Sequence, residues 1–369
     1  KNKQKRADLR QLSLALVVDE ERGLPLYYRC YEGNVTDVVA LGASLSGMIC
    51  QELPPQAPAR LTLILDKGNV SFDNFKALHK AQFSFLAAVP AGWVRSLFQV
   101  PLRAYQPLAL AQGKRVKVYA QSDTRLGGID GKLLVSFSPT FYRKQVRTLD
   151  LLQQKADQQL HALRASIQDA VVRKRPRTEG AVRRAMHQLV RHDRLNDFFA
   201  PTLHVDHGAV YNLQWEWDRR KKRQIKHRDL GKTVLFTDRQ ELSAHRMVVA
   251  YRHQAKVEDM FRISKSRRPG LWWPAHHWTD SKLSVHALYC FLALLLSRIV
   301  LLRLQDPHLA IEVSLLTERL RGIEEALVVY ANGAAQRVIT TRSPEQEKLF
   351  VALDLRTLAE QLGNTVLNP

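Results

Sequence analysis

Residues 61–71 read LTLILDKGNVS. Leu61 to Leu65 are β-favouring and run without a charged break. They stop at Asp66, and Lys67, Gly68 and Asn69 follow as a loop. A short apolar run of this kind predicts a buried strand of an α/β sheet. Such sheets carry their reactive groups at the carboxyl ends of strands, which makes Asp66 a candidate catalytic residue. Its ordinary alternative is a cap for the turn, or for the helix predicted over Phe72–Gln82.

Working outward, Leu12–Asp19 (LSLALVVD) and Leu24–Tyr31 (LPLYYRCY) flank the turn residues Glu20 to Gly23 and predict an antiparallel hairpin. Thr36–Leu53 has Leu41, Leu45 and Met48 at helical spacing, and Phe83–Val89 reads as a further strand. From Pro90 to Arg228 the pattern changes. Short β-like pieces (Val116–Ala120, Lys132–Phe137) precede a charged helical stretch, Val146–His192, broken near Arg173–Arg177. The core pattern resumes at Lys232–Phe236 (KTVLF). A helix follows over Gln254–Ser266, stopped by Pro269-Gly270, then an apolar helix over Ser284–Leu304. The expected fold is α/β, a mixed sheet flanked by helices with a large α+β insertion. Residues 1–89 and 229–304 would form the core, 90–228 a basic, partly helical insertion, and 305–369 a tail of unreadable role.

Composition narrows the function. Of 369 residues, 45% are hydrophobic, enough for a sizeable core, and the formal charge is +21. Charge of that size attracts polyanions, because each cation placed at a phosphate releases a counterion. Nucleic acid is the first partner to consider, with Arg173–Arg177 and Arg219–Arg223 as candidate phosphate contacts. A ribosome-associated protein or a merely basic enzyme are the plainer alternatives. Cys30, Cys50 and Cys290 are far apart with no zinc spacing, as for free thiols in a reducing cytoplasm. Lys1–Arg10 lacks the form of a signal peptide. The apolar stretch Ala287–Leu304 is broken by Ser297, Arg298 and Arg303, which predicts a buried helix and no membrane span.

A second stretch, Tyr251–Lys265 (YRHQAKVEDMFRISK), carries the other candidates. Tyr251 and Lys265 each stand seven residues from Glu258, about two helical turns. On one helix Tyr251, Gln254, Glu258, Arg262 and Lys265 form a polar stripe, with Val257, Met260, Phe261 and Ser264 towards a core. A carboxylate flanked by cations suits metal ions meeting a phosphate backbone. A solvated face with a Glu258–Arg262 ion pair fits the same spacing.

Together the two stretches resemble the insertion-sequence transposases of the DDE class with a Y-x2-R-x3-E-x6-K signature. Tyr251, Glu258 and Lys265 match it, and Gln254 stands where the family usually has Arg. GNVTD (Gly33–Asp37), LDKGNVS (Leu65–Ser71), Pro274, His277, His286 and FLALLL (Phe291–Leu296) are further matches. The resemblance covers roughly Lys5 to Leu304. It implies an RNase-H-like fold whose acidic residues bind two Mg²⁺ or Mn²⁺ ions. Asp66 then corresponds to the second Asp and Glu258 to the catalytic Glu, both metal ligands. Tyr251, Lys265, Arg262, Gln254 and Lys67 become DNA contacts, although Gln254 lacks the charged fork of Arg. The implied partners are transposon ends and target DNA, handled by a homodimer in a synaptic complex in the bacterial cytoplasm.

Asp66 and Glu258 stand 192 residues apart (258 − 66), so an insertion is required if both serve one compact domain. The family's first Asp has no clear counterpart. Asp8 lies in a polar approach and Asp19 where the hairpin turns, so that residue is expected upstream of Lys1. A degenerate relative that binds DNA without catalysis, and a nuclease that cuts without joining, are the competing functions. His276 and His277 read as structural or DNA-facing, and Trp272 and Trp273 as packing before Pro274.

Overall fold

The computed structural model describes residues 12–35, 39, 41, 61–191, 193–265, 272, 277, 279–304, 313–363 and 365–366. The predicted Thr36–Leu53 helix lies outside the described residues apart from Val39 and Leu41. The chain divides into two units, Lys1–Pro54 with Ala250–Pro369, and Pro55–Val249.

In the first unit, Leu12–Val18 (β1) and Pro25–Glu32 (β2) pair antiparallel, from Leu12 opposite Glu32 to Val17 opposite Tyr27. The turn is closed from both sides: the Asp19 N–H donates to the Leu24 carbonyl at 2.7 Å, and the Gly23 N–H to the Asp19 carbonyl at 2.9 Å. Gly23 sits at φ +70°, a conformation that favours glycine, and a Cβ there would crowd the Arg298 guanidinium at 3.1 Å.

The second unit holds the main sheet. Thr62–Leu65 (β3) and Ser84–Ala88 (β4) are parallel, with Leu65 opposite Ala87, and the Phe72–Lys80 helix connects them. Gln106–Ala109 (β5), Arg115–Leu126 (β6) and Ile129–Phe137 (β7) come from the stretch after Pro90. Arg177–Thr178 (β8), Phe199–Asp206 (β9) and Ala209–Trp217 (β10) form a separate small sheet. Lys232–Thr237 (β11) returns to the main sheet, whose order is β3-β4-β11-β7-β6-β5. This six-stranded mixed sheet flanked by helices is an RNase-H-like α/β arrangement.

Two cores hold the unit together. Phe75 of the connecting helix is fully buried, stacked 4.3 Å from Phe85 and 5.9 Å from Phe236. The other core joins the helices Pro139–Val172 and Glu179–Leu189 to the small sheet through Leu160, Ile167, Val182, Met186 and Leu213. Asp157 fixes the seam, since its Oδ1 accepts from both the Trp215 and Trp217 indoles, at 2.9 and 2.7 Å. The segment 90–228 thus supplies three strands of the main sheet as well as a core of its own.

Near the start of β11, Tyr105 is buried and its hydroxyl has no hydrogen-bond partner among the described residues. Burial, and then neighbouring Tyr119, push its phenol up to about 12. A folded value above the unfolded one of about 10 means this contribution is complete below pH ~10 and is lost as pH rises towards 12. Tyr105→Phe should leave neutral-pH stability unchanged or slightly raised, because the hydroxyl satisfies nothing. It should also remove up to about 2–3 kcal/mol of alkaline destabilisation. Thermal melts of both proteins from pH 8 to 11.5 check this. Parallel curves for the two would refute it.

The rest of the first unit begins within the Ala244–Arg252 helix and continues with the Ala255–Ser264 and Asp280–Arg303 helices. The apolar helix is a correction to the sequence reading. It buries Ala287, Cys290 and Leu294, while Val285, Leu288, Tyr289, Leu292 and Leu296 are exposed. The buried residues fall on one stripe, at i, i+3 and i+7, with Phe291 beside it stacking 4.8 Å from Tyr28 of β2, and Val300 and Leu301 pack towards Leu316 and Leu349 at the helix end. Among the described residues it is the one helix long and apolar enough to cross a membrane. Cys30 and Cys290 are free thiols; burial, and then the nearby Cys290, push Cys30 up to about 11. The last segment is a small α+β element: Glu325–Val329 (β12), Ala335–Ile339 (β13) and Thr365–Val366 (β14) in one sheet, with Phe350 packed on Ile339.

Candidate active site

Asp66 follows β3 directly, at the strand end where the sequence placed it. Its carboxylate does not cap the short Lys67–Asn69 turn behind it. Its main-chain carbonyl accepts the Asn69 N–H at 2.9 Å. Capping of the next helix falls to Ser71, whose Oγ accepts the Asn74 N–H at 3.0 Å. Buried Asn74 then donates its Nδ2 to the Asn69 carbonyl at 2.9 Å, bracing the loop from the helix. Asp66 and Lys67 are left exposed on a loop with a defined shape.

In the first unit the Tyr251–Lys265 stretch is two helices where one was expected. The Ala244–Arg252 helix ends at His253-Gln254 and a new one spans Ala255–Ser264. Tyr251 therefore lies on the earlier helix, Gln254 is the N-cap residue of the later one, and Lys265 is its C-cap. Tight i to i+3 bonds carry the chain across: His253 N–H to the Ala250 carbonyl (3.1 Å), Gln254 to Tyr251 (3.2 Å) and Lys256 to His253 (2.9 Å). No proline or glycine marks this break. Met260 and Ser264 are buried and Val257 and Phe261 half-buried, so the apolar side faces a core as expected.

The later helix is held firmly. The Lys256 ammonium donates to the Glu20 carbonyl at 2.7 Å and also to that of Glu21, in the hairpin turn. His253 Nδ1 lies 2.6 Å from Glu20 Oε1, and Arg298 Nε donates to the Arg22 carbonyl at 2.7 Å. Asp19 is taken up by the same turn, its Oδ1 accepting the Arg22 N–H at 2.5 Å, which makes it a structural carboxylate. Asp8 lies outside the described residues. The sequence reading missed this turn-to-helix tether; its only signal was the Glu20-Glu21 pair.

Glu258 is exposed in the first turn of the anchored helix, where the helix dipole favours a carboxylate. The Glu258–Arg262 pair of the solvated-face alternative does not form. Arg262 turns instead to Asp259, 3.4 Å away, and among the described residues Glu258 has no ion-pair partner. The family model of the Transposase DDE domain matches residues 1–296.

The chain belongs to this transposase family. No curated protein matches it. The family match spans both Asp66 and Glu258 and ends inside the Asp280–Arg303 helix. Asp66 and Lys67 belong to the second unit of this DDE transposase; Tyr251, Gln254, Glu258, Arg262 and Lys265 belong to the first. Carboxylate oxygens suit the divalent ions such transposases generally use. Among the described residues no group of three or more His, Cys, Asp or Glu is placed to hold a metal ion.

A carboxylate missed by sequence, Asp238, has a structural task. Its Oδ1 accepts the Phe85 N–H at 2.9 Å at the start of β4, whereas Asp66 follows the Leu65–Ala87 pairing towards the other end. Burial raises its carboxyl above the usual range. Trp272 and His277 gather around the His286 ring, at 6.0 and 5.3 Å, a packing arrangement; Trp273 and His276 lie outside the described residues.

Proposed function

We propose that this chain is the catalytic domain of a transposase that cleaves DNA at transposon ends and transfers the cut strand into target DNA. The observation that carries the proposal is Glu258: an exposed carboxylate without an ion-pair partner among the described residues, on a helix pinned in place, inside a matched transposase domain. Asp66 and Glu258 are the carboxylates that hold Mg²⁺ or Mn²⁺. Bound divalent ions would activate the attacking oxygen and stabilise the leaving one. Tyr251, Gln254, Arg262, Lys265 and Lys67 contact the DNA backbone near the cut. Gln254 donates hydrogen bonds but no charge, so end binding is weaker than Arg would give. Residues 1–89 and 229–304 carry the catalytic residues, 90–228 acts as an insertion that also adds β5, β6 and β7 to the main sheet, and 305–369 as a C-terminal element. The enzyme works in the cytoplasm, against the nucleoid, as a homodimer on paired ends.

The test is a Mn²⁺ titration with labelled duplex from the ends of the element that encodes the chain. The chain is compared with its Glu258→Gln version. Metal-dependent nicking followed by joined products is the expected result. Nicking without joining would make the protein a nuclease. Binding without nicking by either version would make it a degenerate DNA binder, the reading that Gln254 favours.

A further inference from the structure

The most basic segment of the chain is the helix Arg219–Asp229, RRKKRQIKHRD, which follows β10 and is capped by Asp218 (Oδ1 to the Lys221 N–H, 2.9 Å). Its cations do not all point the same way. Lys222 and Lys226, one turn apart, both reach Asp150 on the neighbouring Pro139–Val172 helix, with Nζ–Oδ1 distances of 2.7 and 3.1 Å. Lys222 also donates to Gln153, and Ile225 between them is buried. Burial raises the Asp150 carboxyl, but its hydrogen bonds to the two lysines prevail and hold it below the usual range. This single carboxylate fixes the roll of the helix.

With that roll fixed, Arg219, Arg220, Lys221 and Arg223 are exposed, and none has an ion-pair partner among the described residues. Arg228 is set apart by its pairing with Asp229 at 2.8 Å. On the Pro139–Val172 helix, Arg143 and Arg147 are exposed one turn apart and line an open concavity that also includes Asp150. Arg143 and Arg147 likewise have no ion-pair partner among the described residues; like charges at helical spacing repel, so these cations are a cost unless a polyanion lies against them. Arg219 and Arg223 stack about 6 Å apart on one side of the short helix, as Arg143 and Arg147 do on the long one, while Arg220 and Lys221 stand on other sides of the short helix. Each stacked pair can meet neighbouring phosphates of a duplex strand, which carries a charge every ~3.4 Å of its axis. No aromatic stands among the four exposed cations of the short helix, which favours gripping phosphates over stacking on bases.

We propose that Arg219, Arg220, Lys221 and Arg223, with Arg143 and Arg147, form a duplex-DNA docking surface that grips phosphates without reading sequence. Asp150 is its positioning residue, keeping Lys222 and Lys226 inward. The choice of DNA as the polyanion rests on the transposase reading. The surface belongs wholly to the second unit and is separate in sequence from the signature helix.

The test uses the full chain and a fluorescein-labelled random-sequence duplex, with anisotropy titrations from about 50 to 200 mM salt. Changing Arg219, Arg220, Lys221 and Arg223 together to Gln should flatten the slope of log K against log salt by about 3–4 and weaken low-salt binding at least tenfold. A matched control changes Arg95, Arg103, Lys114 and Lys117, exposed cations elsewhere in the second unit, to Gln, removing the same charge. An equal loss in the control would reduce the effect to net charge and overturn the proposal. Asp150→Asn makes the protein more positive, so pure electrostatics expects tighter binding. Loss of the positioning role predicts weaker binding, restored by Asp150→Glu, in protein whose circular dichroism is unchanged. Tighter or unchanged binding by Asp150→Asn would overturn the role given to Asp150. Absence of nicking by a protein that keeps the wild-type salt slope would sink the transposase reading and leave the docking surface standing.

Discussion

Glu258→Gln should abolish metal-dependent cleavage, by at least about 10³-fold, while leaving the fold and DNA affinity almost unchanged. The size follows from what the substitution removes. Deleting a single transition-state hydrogen-bond donor costs roughly 10²–10³ in rate; in the role proposed for Glu258, an entire anionic ligand for a divalent ion would be lost. The shape is kept, and glutamine is about as good a helix former as glutamate. Stability should move by less than about 0.5 kcal/mol, because the residue is exposed and has no ion-pair partner among the described residues. Losing one negative charge next to DNA should tighten binding slightly if anything. Asp259→Asn is the internal control: it frees Arg262 from its 3.4 Å contact but leaves Glu258 alone, so cleavage should stay within a few-fold. A Glu258→Gln protein that still nicks DNA within tenfold of wild type would remove Glu258 from the chemistry. Asp259, one residue on, would then be the carboxylate to test.

Short-range features of this fold were legible in the sequence, and long-range ones were not. The β1–β2 hairpin, β3 with Asp66 at its end, and the Phe72–Lys80 helix each rest on local pattern: alternation, an unbroken apolar run, a Ser cap ahead of an amphipathic turn. The membership of β5, β6 and β7 in the main sheet rests on β7 meeting β11, with Leu134 opposite Leu235 across about a hundred residues. Nothing in either strand announces that pairing. The same limit applies to the signature helix. Its seven-residue spacings pointed to one continuous helix, whereas the chain breaks at His253-Gln254, beside side chains tied to Glu20 and Glu21, over 230 residues earlier. Charge runs were visible as composition only; which lysines turn inward was decided by Asp150, a residue with no mark of its own in sequence.

The largest stability effect should come from Phe75→Ala, a loss of about 3–5 kcal/mol from the second unit. Phe75 is fully buried, and its ring stacks on Phe85 at 4.3 Å, meets Trp93 edge-on at 6.2 Å and lies 5.9 Å from Phe236. Truncation leaves a ring-sized hole among aromatic groups that are themselves fixed to β4 and β11, so little collapse is available to refill it. The nine-residue Phe72–Lys80 helix is too short to hold itself together and depends on Phe75 and Leu78 for its place. Urea unfolding should show a lower midpoint with an unchanged slope, and a loss under about 1 kcal/mol would refute this account of the core. Phe75→Leu keeps most of the volume and should cost less, which separates folding from function. The neighbouring Asn74 braces the Asp66 loop through its 2.9 Å bond to the Asn69 carbonyl. A slackened helix should therefore lower cleavage by Phe75→Leu at temperatures where the protein is still folded. If Asp66 works from a loop that needs no such brace, cleavage per folded molecule will instead match the wild type.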